Sequence, residues 1–178
     1  MSADIIIKQA ELSDLDELHN IECLAFPPEK AASREAFEYR LTHFPQWFFK
    51  AEIMGQIVGL IDGSRSSKPY ITDDLYEQDG GFDDNGEHLL IYGLAVHPDF
   101  RHKKIAHRLM THILSSAGAA GVHHVSLTCK ESLIGFYEGM GYSNHGISQS
   151  VKGNVVSFDM EVYLTNNGDV YERYHDIR

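Results

Sequence analysis

The sequence predicts an α/β fold of the α+β kind, a single domain with a central mixed and largely antiparallel sheet of about six to seven strands flanked by helices. Three observations carry this expectation. Residues 89–96 are almost wholly apolar, as in a strand buried on both faces. Ile105, Leu109, Ile113 and Ala117 then share one face of a long amphipathic helix. Residues 47–61 and 142–162 read as hairpins turning at Gly55 and Gly153. The chain has 178 residues, 43% of them hydrophobic and 23% charged, which suits one soluble domain with a sizeable core.

Each element follows from local signals. Residues 4–8 are a short β-branched run suited to a strand, and Ser13 with Asp16 forms a capping-box pattern ahead of Leu15, Leu18, Ile21 and Ala25. Pro27 and Pro28 stop that helix, and Ser33 opens a second with Phe37, Leu41 and Phe44 at helical spacing, ending near Pro45. Alternation over residues 47–53 and the run 57–61 give an antiparallel pair. Residues 65–87, rich in Ser, Asp and Gly, read as a long surface loop in which only 71–76 can make a helical turn. The central strand at 89–96 leads through His97-Pro98 into a basic turn and the long helix, which ends near Gly118 and Gly121. A strand at 124–128, a short helix at 131–140 and a hairpin of 142–148 with 155–162 complete a domain over residues 1–165. The polar stretch 166–178 is expected to be a tail.

Charge and cysteine content exclude several classes. A net charge of -11 opposes a nucleic-acid partner, since phosphate neutralisation needs clustered Lys and Arg; the excess acid either only keeps the protein soluble or also draws cationic amines. Two cysteines and the absence of a secretory pattern in residues 1–10 argue against a disulfide framework, and no apolar run reaches membrane-spanning length. A cytoplasmic protein without a membrane partner, monomeric or homodimeric, is the expectation. Eleven histidines show no paired ligand spacing, so no metal is expected.

The chemistry concentrates in two motifs. The strand, basic turn and helix of residues 94–106 would place unpaired backbone N–H groups at a helix N-terminus, where a phosphate-bearing ligand fits. Here Arg101-His102-Lys103-Lys104-Ile105-Ala106 resembles the diphosphate-binding turn of the GNAT superfamily of acetyltransferases. That turn has Arg or Gln, two variable residues, Gly, one variable residue, then Gly or Ala. Lys104 replaces the glycine that lets backbone approach the diphosphate. The second motif, Leu127-Thr128-Cys129-Lys130-Glu131-Ser132-Leu133-Ile134-Gly135-Phe136-Tyr137, resembles the matching stretch of the serotonin, or arylalkylamine, N-acetyltransferase branch. Gly93-Leu94-Ala95-Val96-His97 is similar to that branch's central strand. Phe26 ends the first helix and Asp62-Gly63-Ser64 starts the long loop as they do there, so the likeness spans about residues 5–163.

The resemblance implies an acetyl-CoA-dependent N-acetyltransferase in which a small primary amine, an arylalkylamine, diamine or polyamine, attacks the thioester directly in a ternary complex. By the same carry-over Tyr137 is the general acid toward the departing thiolate. Backbone groups of Leu94, Ala95 and Val96 hold the pantetheine arm, and Arg101, His102, Lys103, Lys104, Ile105, Ala106 and His107 surround the diphosphate. The branch's two histidines on the central strand are replaced by Leu90 and Tyr92. His88, two residues before Leu90, and the hydroxyls of Tyr92 and Ser64 are the candidates for the missing base. Phe26, Ser64, Leu94, Thr128 and Asp159 are candidate substrate contacts. Two other functions stay open: a coenzyme-binding regulatory module without catalysis, and acetylation of a peptide.

Overall fold

The computed structural model describes residues 4–76 and 82–171, and seven strands of it form one sheet in the order β1-β2-β3-β4-β5-β7-β6. The strands are β1 Ile5–Gln9, β2 Phe48–Ile53, β3 Gln56–Ser66, β4 His88–Val96, β5 His124–Lys130, β6 Ser143–Ile147 and β7 Ser157–Tyr163. The helices are α1 Leu15–Ala25, α2 Arg34–His43, α3 Ile105–Ala119 and α4 Ile134–Glu138. All pairings are antiparallel except β4 with β5, which are joined by α3. The fold is thus a single α/β domain with a mostly antiparallel sheet, and residues 89–96 do form its middle strand.

Alternating strand residues bury two faces. Phe48 packs with Leu18, Ile21 and Phe37 from α1 and α2, whereas Phe49 and Ala51 pack with Leu109 and Ile113 of α3. Met54 and Gly55, both at positive φ, make the tight β2–β3 turn. Ser33 caps α2 by accepting a hydrogen bond from the Ala36 N–H.

Three expectations are corrected, and one, the helical turn within residues 71–76, is met. The α1 approach is capped by Asp14, whose carboxylate accepts the Glu11 N–H at 2.9 Å, and not by Ser13 with Asp16. Asp62, Gly63, Ser64, Arg65 and Ser66 belong to β3 and not to a loop, because each pairs with β4. The connection after β3 has its helical turn at Asp73–Tyr76, and Phe82 bridges back to Ser66; residues 77–81 of this expected loop lie outside the described residues. Residues 166–171 are no frayed tail. Leu164 and Val170 form a bridge, and Gly168 lies so close to α3 that a methyl on Gly118 would come within 2.2 Å of its nitrogen. Residues 172–178 lie outside the described residues.

Candidate active site

The site begins where two strands part. β4 and β5 are paired from His88 with His124 to Ile91 with Leu127, yet β4 runs on to Val96 and β5 to Lys130. A register shift beside Asp62 and Gly63, where Gly93 and Ile91 are successive β3 partners, leaves Tyr92 as an extra residue in β4 and turns the strand away. The backbone of residues 93–96 that faces β5 therefore borders a cleft instead of a ladder. A cavity of about 560 Å³ fills it, with Phe26, Tyr92, Leu94, Arg101, Thr128 and Tyr137 among its lining residues. A second cavity of about 380 Å³ shares Arg101 and is lined by Val96, His102, Lys104, Ile105, Ala106 and His107.

The second cavity sits at the start of α3, whose first turn has no side-chain cap, so its N–H groups face outward. Lys104 adopts φ 62 and His102 φ 64. Lys104 thus holds the left-handed conformation for which a glycine is the usual choice, and the turn keeps its shape without one. Arg101, His102, Lys103, Lys104 and His107 are all exposed, and all but Lys103 line this second cavity.

Tyr137 on α4 is buried, its ring edge-on to Phe136 and Tyr142, and burial pushes its phenol well above the usual tyrosine value. It carries its proton throughout the physiological range and borders the cleft as a hydrogen-bond and proton donor. Tyr92 shares a 2.5 Å hydrogen bond with Ser64, and burial raises its phenol to about 12.

The sequence reading passed over Glu22. It follows Leu15 by seven residues and Leu18 by four, so α1 turns it inward with them. One oxygen accepts the Ala32 N–H at 2.9 Å, while Oε1 has no hydrogen-bond partner. Burial, only partly offset by that N–H, raises its pKa to about 7. A methyl placed on Gly93 would lie 2.9 Å from Asp62 Oδ1 and 3.7 Å from Glu22 Oε1, which sets the carboxyl beside the β4 bulge. Arg40 of α2 closes this end: it pairs with Asp62 at 2.9 Å, bonds the Tyr76 carbonyl and lies 4.9 Å over the Tyr92 ring. A glutamate on an otherwise apolar helix stripe was the available sequence signal.

Three expected residues lie elsewhere. His88 is at the far end of β4, bonded to His124, which reaches Glu161; burial lowers its pKa, and it does not line the cleft. Ser64 is fully buried behind Tyr92 and touches the cleft only through that phenol. Asp159 is buried on β7 opposite Thr128, with burial raising its pKa. Among the described residues no three His, Cys, Asp or Glu side chains are grouped to hold a metal, and no helix is long and apolar enough to cross a membrane.

The acetyltransferase (GNAT) family model matches residues 15–142. An acetyltransferase of Pectobacterium atrosepticum is 32% identical over 108 residues, which is 59% of this chain and 63% of that protein. A probable hydrolase of Bacillus subtilis is 30% identical over 112 residues, 59% of this chain but 22% of its own length. The chain thus spans less than two thirds of these relatives. The loading GNATL domain of CurA from Lyngbya majuscula superposes with a TM-score of 0.78 at 16% identity, covering 89% of this chain and 96% of that one. The GNAT-like decarboxylase GphF in complex with isobutyryl-CoA gives 0.77 at 23%, covering 88% and 97%. The ribosomal-protein-S18-alanine N-acetyltransferase of Escherichia coli gives 0.70 at 16%, covering 91% and 95%. At these identities the solved structures share the fold.

Proposed function

The chain belongs to the acetyltransferase (GNAT) family, and from that premise we propose that it transfers the acetyl group of acetyl-CoA to a small primary amine by direct attack. One observation carries the reading: a single cleft between the diverging β4 and β5 presents a carboxyl with a pKa of about 7, Glu22, and a protonated phenol, Tyr137, and shares Arg101 with the hollow at the start of α3.

The residues present fit the coenzyme. The uncapped first turn of α3, with Arg101 and Lys104 at its rim, would hold the diphosphate, and the unpaired β4 backbone at Leu94, Ala95 and Val96 would pair with the pantetheine amides and polarise the thioester carbonyl. Glu22 takes a proton from the incoming ammonium, a transfer suited to a base with a pKa of about 7 near neutral pH. The freed nitrogen forms its bond to the thioester carbon as the carbon–sulfur bond breaks. Tyr137 hands its proton to the departing thiolate and regains one from the former amine, so one ammonium yields one amide, one thiol and one proton. Tyr92, held by Ser64 and Arg40, shapes the acceptor wall together with Phe26 and Thr128. The run of residues 127–137 supports kinship with the arylalkylamine branch, although Glu22 replaces the strand histidines as base.

Thiol release from acetyl-CoA is expected to depend on added amine. Tyr137→Phe is expected to lower turnover by about a hundredfold or more while acetyl-CoA still raises the melting temperature. Stabilisation by acetyl-CoA with no release under any amine is the behaviour of a binding module and would reject the proposal.

A further inference from the structure

Two buried carboxyls beside β4 each keep one oxygen unused. Asp62 is 0% exposed and Glu22 4%, and among the described residues neither Asp62 Oδ1 nor Glu22 Oε1 has a hydrogen-bond partner. The other oxygen of each is committed. Asp62 Oδ2 accepts from the Arg40 guanidinium at 2.9 Å, and Glu22 Oε2 accepts from the Ala32 N–H at 2.9 Å.

Gly93 shows where the spare oxygens lie. It is the β4 residue opposite Asp62, so a side chain there would stand on the same face of the sheet. A methyl on Gly93 would meet Asp62 Oδ1 at 2.9 Å and Glu22 Oε1 at 3.7 Å, and beyond its chain neighbours no other described atom within 4 Å. One small space beside the strand is thus bounded by two acceptors and no donor. Two carboxylates ionised together around it repel each other and leave both oxygens unsatisfied. A single proton relieves both costs, because the acid that carries it can donate to its neighbour.

The surrounding charges decide which group carries that proton. Burial raises the pKa of both carboxyls, but Asp62 is the one in contact with a cation, so it ionises first and the proton resides on Glu22. Asp62 of β3 raises the Glu22 pKa further, whereas Arg40 of α2 and Lys152 of the β6–β7 connection lower it. On β4, Tyr92 stays a neutral phenol.

We infer that Glu22 and Asp62 work as a pair that holds one proton between Glu22 Oε1 and Asp62 Oδ1, which makes Asp62 a positioning residue for the base. This rests on the acetyl-transfer reading above and deepens it. During transfer an N–H bond of the acceptor's ammonium breaks and its proton joins Glu22 Oε1. The new O–H donates to Asp62 Oδ1, while Asp62 remains a carboxylate on Arg40. The proton passes to solvent when the amide leaves, which returns Glu22 to its carboxylate.

The test is the pH dependence of kcat/KM for an accepted amine in the native protein, Glu22→Gln, Asp62→Asn and Gly93→Ala. The rise in melting temperature on adding acetyl-CoA reports that each variant is folded and loaded. Asp62→Asn removes the neighbouring charge, and Gly93→Ala sets a methyl against both spare oxygens while sparing both carboxyls. Either change disfavours the acid form of Glu22, so the limb near pH 7 should move to lower pH, by about one unit or more in Asp62→Asn. The infrared band of the neutral Glu22 carboxyl, identified by its loss in Glu22→Gln, should shift in both variants as its hydrogen bond weakens. Looser packing alone would lower activity at every pH and leave limb and band in place. That result in both variants, or in Gly93→Ala alone should Asp62→Asn fail to fold, overturns the pair and leaves Glu22 as a lone base. A limb that survives in Glu22→Gln overturns Glu22 as the base, and no thiol release with any amine overturns acetyl transfer; this inference falls with either.

Discussion

Glu22 owes its role to burial acting on one carboxyl. At a pKa of about 7 it is a carboxylate above neutrality and a neutral acid below, so kcat/KM for the amine should fall as the pH drops through about 7. Glu22→Gln should remove that limb and leave turnover lower by about a hundredfold or more; a pH–rate profile with the same limb in the variant would assign the base elsewhere. Lys104 poses the opposite question at the other end of the cleft. Its φ of 62 strains an L-residue, so Lys104→Gly should stabilise the fold, by up to about 1 kcal/mol after the added freedom of the unfolded chain is counted. Because the side chain also lines the diphosphate hollow, the same variant should bind acetyl-CoA several-fold more weakly. Thermal melts and a coenzyme titration read the two effects separately, and a drop in melting temperature would contradict the strain argument.

At the scale of elements, periodicity made the framework legible and long-range burial hid the rest. The apolar run at 89–96, the helix face of Leu109 and Ile113, and Ser33 as a cap all lie within one element, where local signals suffice. The extension of β3 through Asp62 and Ser64 was hidden because those buried polar residues find their side-chain partners far off in sequence, at Arg40 of α2 and Tyr92 of β4. Glu22 and Arg40 were hidden for the same reason: an acid and a base on buried helix faces make sense only once they meet beside Gly93 and Asp62. The expectation for His88 placed it on the strand face of Leu90 and Tyr92, whereas its end of β4 is paired with β5 and the cleft lies beyond Ile91. Residues 166–171 looked like a tail because their composition is polar, but the contact that holds them is glycine backbone against helix. Gly118→Ala should therefore dislodge that segment, costing about 1–3 kcal/mol and exposing it to proteolysis. A protease pattern identical to that of the native protein would show that the segment does not rest on α3 in solution.

The whole chain carries excess acid, whereas five of the six charged residues that line its cleft are basic. The buried carboxyl also ties stability to pH. Glu22 has a folded-state pKa raised from 4.5 to about 7, so the neutral form is stabilised relative to the unfolded chain. Stability should be fully present below pH 4.5 and decline as pH rises to about 7, by up to about 3 kcal/mol from this group. Glu22→Gln should flatten that slope in melts taken between pH 5 and 8. The same carboxyl that weakens the fold at higher pH is the one proposed as the base there. The most direct test is the fate of the acetyl group itself, followed by mass spectrometry with isotopically labelled acetyl-CoA and an accepted amine. The structure predicts one labelled N-acetyl amine for each thiol released and no label on the protein. A labelled acetyl-protein intermediate, or thiol released with no acetylated amine, would contradict direct transfer in the β4–β5 cleft.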